Sequence, residues 1–393
     1  MKQAVIVGAA RTAIGGFNGT LKNVTAPKLG AVAIKAALER AGVNPEAVTE
    51  VIMGNVISAA IGQAPARQAA IGAGVPTEAG ALTINKVCGS GLKAVMLAAQ
   101  AIMLGDEEVV VAGGMESMSQ VPYALTQLRA GARMGHAKTL DLMIHDGLWC
   151  PFEDYHMGNA GELIAGEYNI TREAQDAYAA ASQNKAEAAV TSGRFKDEIV
   201  PVPIPQRKGD PVIFDTDEQP RFGTTPEKLG RLRAAFKKDG TVTAGNAPSV
   251  NDAAAAVIVT SEERAKKEGW PILAKIKGYA TGGIDPAHLL LAPIVAIKKL
   301  NKKLGLKGDE YELIELNEAF SVQSMVTINE LGWDADKVNV NGGAVALGHP
   351  IGASGTRILV TLLFEMEKRN SKLGLASLCL GGGNGVAMAL ERP

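Results

Sequence analysis

The sequence predicts an α/β fold made of two related halves with a long insertion between them, and three observations predict it. Short apolar runs alternate with Ala-rich segments of helical period toward both ends of the chain. A glycine-rich turn between an extended run and a helix occurs twice, at residues 85–91 and 341–355. In residues 119–246 the alternation gives way to long irregular stretches, which read as an insertion on the scaffold. The composition agrees: 45 glycines and only 4% aromatic residues suit tight strand-to-helix turns, and 393 residues exceed the roughly 250–300 at which one core stops growing.

Residues 5–7 read as the first strand, 26–41 as the first helix and 51–53 as the next strand. Thr25 is placed to cap that helix, and Pro27 suits its first turn. Leu29, Val32, Ala33 and Ala36 form one apolar face, and Gly42 can take the left-handed conformation that ends it. This order predicts a parallel sheet. Residues 81–87 extend next, and Cys88-Gly89-Ser90-Gly91 leads into a helix with Leu92, Val95, Met96, Ala99 and Met103 on one side and Gly105 at its end. A strand at 109–112 then meets Gly113-Gly114. Inside the insertion, Thr171 and Ala174 open a helix that runs to about Ser192, and residues 201–205 are proline-rich. The alternation resumes with a strand at 272–276, a helix at 293–304, a strand at 313–316 and a helix at 355–368. Each half closes with a strand ending in glycines, Gly113-Gly114 in one and Gly381-Gly382-Gly383 in the other. The echo implies an internal duplication: residues 1–118, completed by about 247–268, form one half, 119–246 the insertion, and 269–393 the other half.

A formal net charge of -1, with basic residues spread along the chain, lacks the electrostatic footprint of a nucleic-acid binder. Cys88, Cys150 and Cys379 are odd in number and far apart, which argues against a disulfide framework and for a reducing compartment, the cytoplasm. The apolar start at residues 4–7 is too short for a signal-peptide core, no run approaches the length of a membrane span, and Glu391-Arg392-Pro393 matches no peroxisomal signal. Gly8-Ala9-Ala10-Arg11 lacks the dinucleotide pattern and residues 381–385 lack a P-loop lysine, so neither NAD nor ATP is expected. No pair of Cys or His residues has metal-ligand spacing, and no metal is expected.

Duplication can bring the ends of corresponding strands together, and with them Cys88, His349 and Cys379. A free thiol titrates near pKa ~8.5, so a nucleophilic Cys88 needs help to ionise. The start of a helix contributes roughly 0.3–1 kcal/mol toward that, and a neighbouring imidazole can take the proton, which makes His349 the candidate base. Glycines around both residues let backbone N–H groups reach a developing oxyanion. Hydrolysis would not require a second cysteine, but a thiol such as Cys379 can exchange a proton with the carbon next to a thioester. Cys150 reads as a small buried hydrophobe, and His136, His145 and His288 as surface or structural residues.

Asn85-Lys86-Val87-Cys88-Gly89-Ser90-Gly91, Asn317-Glu318-Ala319-Phe320, residues 341–355 and Cys379-Leu380-Gly381-Gly382-Gly383-Asn384-Gly385 resemble, in order, the signature blocks of the thiolase family. The likeness runs over the whole chain and includes Arg11-Thr12 and Arg67-Gln68-Ala69-Ala70. The resemblance implies a thiolase-like duplicated α-β-α-β-α layered fold with the inserted loop domain lying over the site. It also implies an acyl-CoA C-acyltransferase with coenzyme A thioesters as substrates and no bound cofactor. In the family's ping-pong reaction Cys88 takes an acyl group from one acyl-CoA, and the α-carbon of a second acetyl-CoA attacks it. Cys379 removes the α-proton or, in cleavage, returns one. The resemblance further implies that His349 activates Cys88 and, with a water held by Asn317, stabilises the enolate oxygen, while the N–H groups of Cys88 and Gly381 form the other oxyanion hole. Leu148, His156, Met157, Arg221, Leu232, Phe236, Ala244 and Ser249 match positions that hold coenzyme A in relatives, and Ala319 and Phe320 match the acyl pocket. Arg221 suits the adenine-nucleotide end by stacking or charge.

Two departures bear on substrate choice. Pro248 and then Ser249 follow Ala244-Gly245-Asn246-Ala247, where short-chain members carry a serine directly, and Leu289-Leu290-Leu291-Ala292-Pro293 replaces the usual Met-Gly-Thr-Gly-Pro. The first reading is transfer between two acetyl units, and the alternative is a broad range of 3-oxoacyl chain lengths, as in fatty-acid β-oxidation. A decarboxylating ketosynthase would pair its nucleophile with two histidines, where this chain has Cys379, and a non-catalytic acyl-CoA binding protein would have lost Cys88 or His349. Residues 129–142, with Leu140, Leu142 and the adjoining Met143 beside basic groups, read as an arm joining two dimers into a homotetramer. No membrane partner is expected.

Overall fold

The computed structural model describes residues 1–393. In chain order its principal elements are β1 (Ala4–Thr12), α1 (Ala26–Ala41), β2 (Glu50–Gly54), α2 (Pro65–Gly72), β3 (Gly80–Ile84), α3 (Ser90–Leu104), β4 (Val109–Ser117), α4 (Met157–Glu167) and α5 (Arg172–Thr191). They continue with β5 (Asn251–Ser261), β6 (Ala274–Gly283), α6 (Ala292–Leu304), β7 (Leu313–Leu316), α7 (Ser321–Leu331), α8 (Ile351–Arg369), β8 (Leu373–Leu380) and β9 (Asn384–Glu391).

The strands make one sheet in the order β7-β8-β9-β6-β1-β5-β4-β2-β3. It is mixed, which corrects the parallel sheet expected from the alternation. β2 runs parallel to β3 and β4, and β7 parallel to β8. β5 arrives from beyond the insertion and slots antiparallel between β1 and β4, and β9 does the same between β6 and β8. The duplication is therefore explicit: β1-β5-β4-β2-β3 repeats as β6-β9-β8-β7, with Val338 bridging Ile314 in parallel where the fifth strand would lie. Both first strands carry the same irregularity, a register slip between Ile6 and Gly8 and another between Ile276 and Gly278. The halves meet where Val5 pairs with Lys275 and Ile6 with Ala274.

Five layers follow. Leu29, Ala33 and Ala37 of α1 cover the outer face of the first half, and Ile297 and Leu300 of α6 cover the second. Between the halves, Val95, Met96 and Ala99 of α3 pack with Ile358, Leu359 and Leu362 of α8. Fully burying each large aliphatic chain contributes roughly 1.5–3 kcal/mol, so this seam is a main source of stability. The two central helices touch backbone to backbone near their N-termini, because a Cβ on Gly91 would lie 2.7 Å from Thr356 Oγ1 and another on Gly355 would strike the backbone of Leu92. That close approach brings the residues just ahead of each helix, Cys88 and His349, to one place.

Several local readings shift. Thr25 stands at the N-cap of α1 without a side-chain hydrogen bond, so Pro27 and the apolar face set the helix start. Thr171 Oγ1 does accept from Ala174 N–H, at 3.2 Å. β6 runs from Ala274 to Gly283 instead of 272–276, and α8 begins at Ile351, four residues before the expected 355, with its glycines inside the first turns. The stretch Val87–Leu104, with mean hydropathy 1.6, reaches membrane-span length and composition, contrary to the expectation that no run would. It includes α3, packed between α8 and the sheet.

Buried polar groups tie the insertion to the scaffold. The Arg11 guanidinium on β1 donates to both oxygens of Asp217 at 2.7 and 2.9 Å and to Glu198 at 2.6 Å. Glu318, buried just after β7, accepts from Tyr178 Oη at 3.0 Å and Ser182 Oγ at 2.8 Å on α5, and from Asn339 Nδ2 and Val345 N–H, both at 3.0 Å.

Candidate active site

A cavity of about 250 Å3 opens where the two central helices begin, and Cys88, His349 and Cys379 all line it. Cys88 precedes Gly89, the N-cap of α3, and is half-buried. His349 precedes Pro350, the N-cap of α8, and Cys379 sits near the end of β8. Two equivalent helix starts and one strand end of the duplicated scaffold thus converge.

The protonation of His349 is set by its neighbours. Ser354 Oγ donates to the carbonyl of Pro350 at 2.9 Å, so its remaining role toward His349 Nδ1, 2.6 Å away, is to accept. Nδ1 then carries the proton, and the Nε2 lone pair lies on the other side of the ring, met there by a long contact from Asn317 Nδ2. The His349 N–H donates to Asn251 Oδ1 at 2.8 Å, which fixes the backbone. Asn317, fully buried at the end of β7, places Nδ2 3.5 Å from Nε2, and its Oδ1 has no hydrogen-bond partner. Burial, reinforced by the Arg357 guanidinium, pushes His349 down to about 3, so the imidazole is neutral at ordinary pH.

The thiols are protonated. Burial pushes Cys88 up to about 11 from 9.0, against the pull of the backbone N–H groups of Gly381 and Cys88, with the carboxylate of Glu116 adding to the rise. That rise is larger than the roughly 0.3–1 kcal/mol a helix start supplies in the other direction. The help expected from the helix start is smaller than the effect of burial, so a Cys88 thiol stands beside a neutral imidazole. Cys379 is raised too, first by burial and then by Cys88. A thiol, a base with a free lone pair and two converging N–H donors can add sulfur to a carbonyl in one concerted step. A second thiol can move a proton at carbon.

Leu148, His156, Met157, Phe236, Ser249, Ala319, Phe320 and Gly381 line the same cavity. His156 caps α4, its Nδ1 accepting from Gly158 N–H at 3.0 Å, and stacks on Phe236 with centroids 4.8 Å apart. Ser249 Oγ lies 2.9 Å from Gln219 Oε1 and 3.0 Å from Asn251 Oδ1. Arg221, Leu232 and Ala244 do not line the cavity; they lie exposed on the insertion, Arg221 donating its backbone N–H to Gln183 Oε1 at 2.8 Å. Leu289 and Leu290 form part of the wall, and Cys150 is buried in the core behind it.

Sequence reading missed several contributors. Val87, Met118 and Ile351 line the cavity, and Ser354 orients the imidazole from five residues along, a spacing that gives no signal until α8 is known to start at Ile351. Glu116 is fully buried and accepts from Asn55 Nδ2 and from the N–H groups of Val56, Ile57 and Gly352, joining β4 to the first turn of α8. Burial holds its carboxyl up at about 7 despite these donors.

Comparison with known proteins agrees with this geometry over the full chain. Residues 4–263 match the family model described as thiolase, N-terminal domain, and residues 270–392 match thiolase, C-terminal domain. The chain is 58% identical over 392 residues to an acetyl-CoA acetyltransferase of Pseudomonas aeruginosa and 59% identical over 392 residues to one of Cupriavidus necator, covering 100% of both chains in each case. The crystal structure of the Bacillus anthracis acetyl-CoA acetyltransferase superposes with a TM-score of 0.98 at 45% identity, covering 100% of this chain and 99% of that one.

Proposed function

The chain belongs to the thiolase family and is an enzyme, and from that premise we propose that it is an acetyl-CoA C-acetyltransferase that carries its acyl group on Cys88. The observation that carries the mechanism is the 2.6 Å contact between His349 Nδ1 and Ser354 Oγ, whose own proton goes to the Pro350 carbonyl, since the tautomer it selects leaves Nε2 as the base facing the cavity.

The proton path follows from which groups hold protons. As Cys88 sulfur adds to the thioester carbonyl, its proton passes to His349 Nε2 and the oxyanion meets the N–H groups of Cys88 and Gly381. Coenzyme A leaves as a thiolate and takes the proton of Cys379. The Cys379 thiolate then removes the α-proton of the second acetyl-CoA, whose enolate oxygen faces His349 and Asn317. The enolate carbon attacks the acyl group, Cys88 departs, and the proton on His349 returns to it. The unpaired Asn317 Oδ1 supports a water or substrate group there. In the cleavage direction Cys379 begins as the thiol that protonation of the leaving carbanion requires.

Leu289 and Leu290, both buried, support a short acyl group. Arg221, Leu232 and Ala244 would meet the nucleotide end of coenzyme A outside the cavity. Met134 within the arm, and Tyr123, Leu125 and Leu128 just ahead of it, are exposed and support a homotetramer, and they are different residues from the half-buried Leu140, Leu142 and Met143 first considered. The cytoplasm is the compartment that fits three free thiols. Thiolysis of 3-oxoacyl-CoA esters of increasing length tests the assignment. A sharp preference for acetoacetyl-CoA supports it, whereas a flat or rising kcat/KM profile replaces it with a broad-range 3-ketoacyl-CoA thiolase.

A further inference from the structure

Val87, the residue before Cys88, has φ +46°, a left-handed conformation that β-branched residues rarely enter. The conformation is pinned from both sides. Val87 N–H donates to Asn85 Oδ1 at 2.9 Å, and its carbonyl accepts from Ser90 N–H at 3.0 Å and Ser90 Oγ at 2.6 Å. Ser90 Oγ also accepts from Lys86 N–H at 2.8 Å, and Asn85 Nδ2 donates to the carbonyl of Val56 at 3.2 Å.

Glycine would satisfy this backbone without strain, so the elbow alone does not call for valine. What valine adds is a pair of γ-methyls, and they face the turn after β8: a Cβ built on Gly381 would lie 3.2 Å from Val87 Cγ1 and 3.9 Å from Cγ2. Gly381 lines the cavity beside Cys88, and its N–H, with that of Cys88, draws the thiol's pKa down against burial. Its chain neighbours Gly382 and Gly383 both have positive φ and no side chains with which to anchor the turn. The other side chain near that Cβ position is Met157, through its terminal methyl at 3.8 Å, and methionine is a pliable support. Strained residues persist where the surroundings fix them and the strain serves a site.

We propose that Val87 is a positioning residue whose γ-methyls hold the Gly381 N–H in line with the Cys88 sulfur, the backbone strain being tolerated for that contact. The proposal rests on Cys88 as the acyl carrier. It places the effect on the acylation step, where the oxyanion forms, and not on binding of coenzyme A.

Full-length wild type, Val87→Gly, Val87→Ala and Val87→Thr are compared by rapid quench with acetyl-CoA, with the acyl group on Cys88 read by mass spectrometry, and by thermal melting. Val87→Gly acylates about tenfold more slowly or worse, with little change in KM, because one misaligned oxyanion donor is being lost. It also melts above Val87→Ala, the reverse of the usual order of these two residues, because φ at this position is positive. Val87→Thr keeps the branched shape and acylates within about threefold of wild type, a margin under 0.7 kcal/mol. Wild-type acylation by Val87→Gly, or a Val87→Gly that melts below Val87→Ala, overturns the proposal. Wild-type enzyme that never acylates Cys88 overturns the reading beneath it as well.

Discussion

Replacing Ser354 by alanine isolates the residue that selects the tautomer of the base. Ser354 is fully buried, does not line the cavity, and meets the His349 ring through the 2.6 Å contact to Nδ1. Ser354→Ala strands a buried Nδ1–H, at a cost of about 1–3 kcal/mol. The ring can escape that cost by moving its proton to Nε2, which abolishes the lone pair the mechanism uses. If the cost falls on the acylation barrier, the rate drops by roughly 5- to 150-fold. Because the substrate cavity is unchanged, KM for acetyl-CoA stays within about twofold while kcat falls. The assay is rapid-quench acylation of wild type, Ser354→Ala, His349→Ala and the double variant. The double variant should be no slower than His349→Ala, since a residue that acts through the imidazole has nothing left to orient. A Ser354→Ala enzyme with normal kcat, or one that slows the His349→Ala background further, would refute the reasoning.

Acylation should show no steep limb between about pH 5 and 9, the Glu116 carboxyl, held at about 7, adding only a shallow change through its effect on Cys88. His349, depressed to about 3, is already neutral there, and Cys88, raised to about 11, keeps its proton, so a bell with limbs inside that window would indicate a resting thiolate–imidazolium pair instead. Leu290→Ala should widen the cavity, raising kcat/KM for 3-oxohexanoyl-CoA relative to acetoacetyl-CoA by roughly tenfold or more, at a stability cost of about 2–5 kcal/mol. An unchanged chain-length ratio would remove Leu290 from the specificity wall. Asp217→Ala should lose about 3–5 kcal/mol by leaving the buried Arg11 guanidinium with Glu198 as its one remaining carboxylate partner, read as a lower Tm, and an unshifted melt would show that the pair is dispensable.

The sequence was most informative where chemistry and local geometry share a residue. Cys88 and His349 sit at helix starts that glycines announce, and the strand at 313–316, three of its four residues apolar, is short enough to read directly. The direction of β5 was not legible, because it joins the sheet from beyond the insertion and nothing in its own residues states which way it runs, whereas β9 simply turns back from β8 through the glycines at 381–383. The start of α8 was misread for a related reason: Gly352 looks like a turn residue, yet its missing side chain makes room for the Glu116 carboxylate, which accepts its N–H at 2.9 Å. How far burial raises the Cys88 thiol was not legible, because a helix start is visible in sequence while the depth of burial is not. Arg221, Leu232 and Ala244 lie on an insertion surface whose relation to the cavity only the fold reveals.

The central claim is that Cys88 carries the acyl group while Cys379 moves the proton. Incubating Cys88→Ala and Cys379→Ala with acetyl-CoA, and reading both the acyl-enzyme and acetoacetyl-CoA formation by mass spectrometry, tests it directly. Cys379→Ala should accumulate an acetyl group on Cys88 and make no acetoacetyl-CoA, while Cys88→Ala should do neither; an acetyl group on Cys379, or equal loss of acylation in both variants, would contradict the assignment.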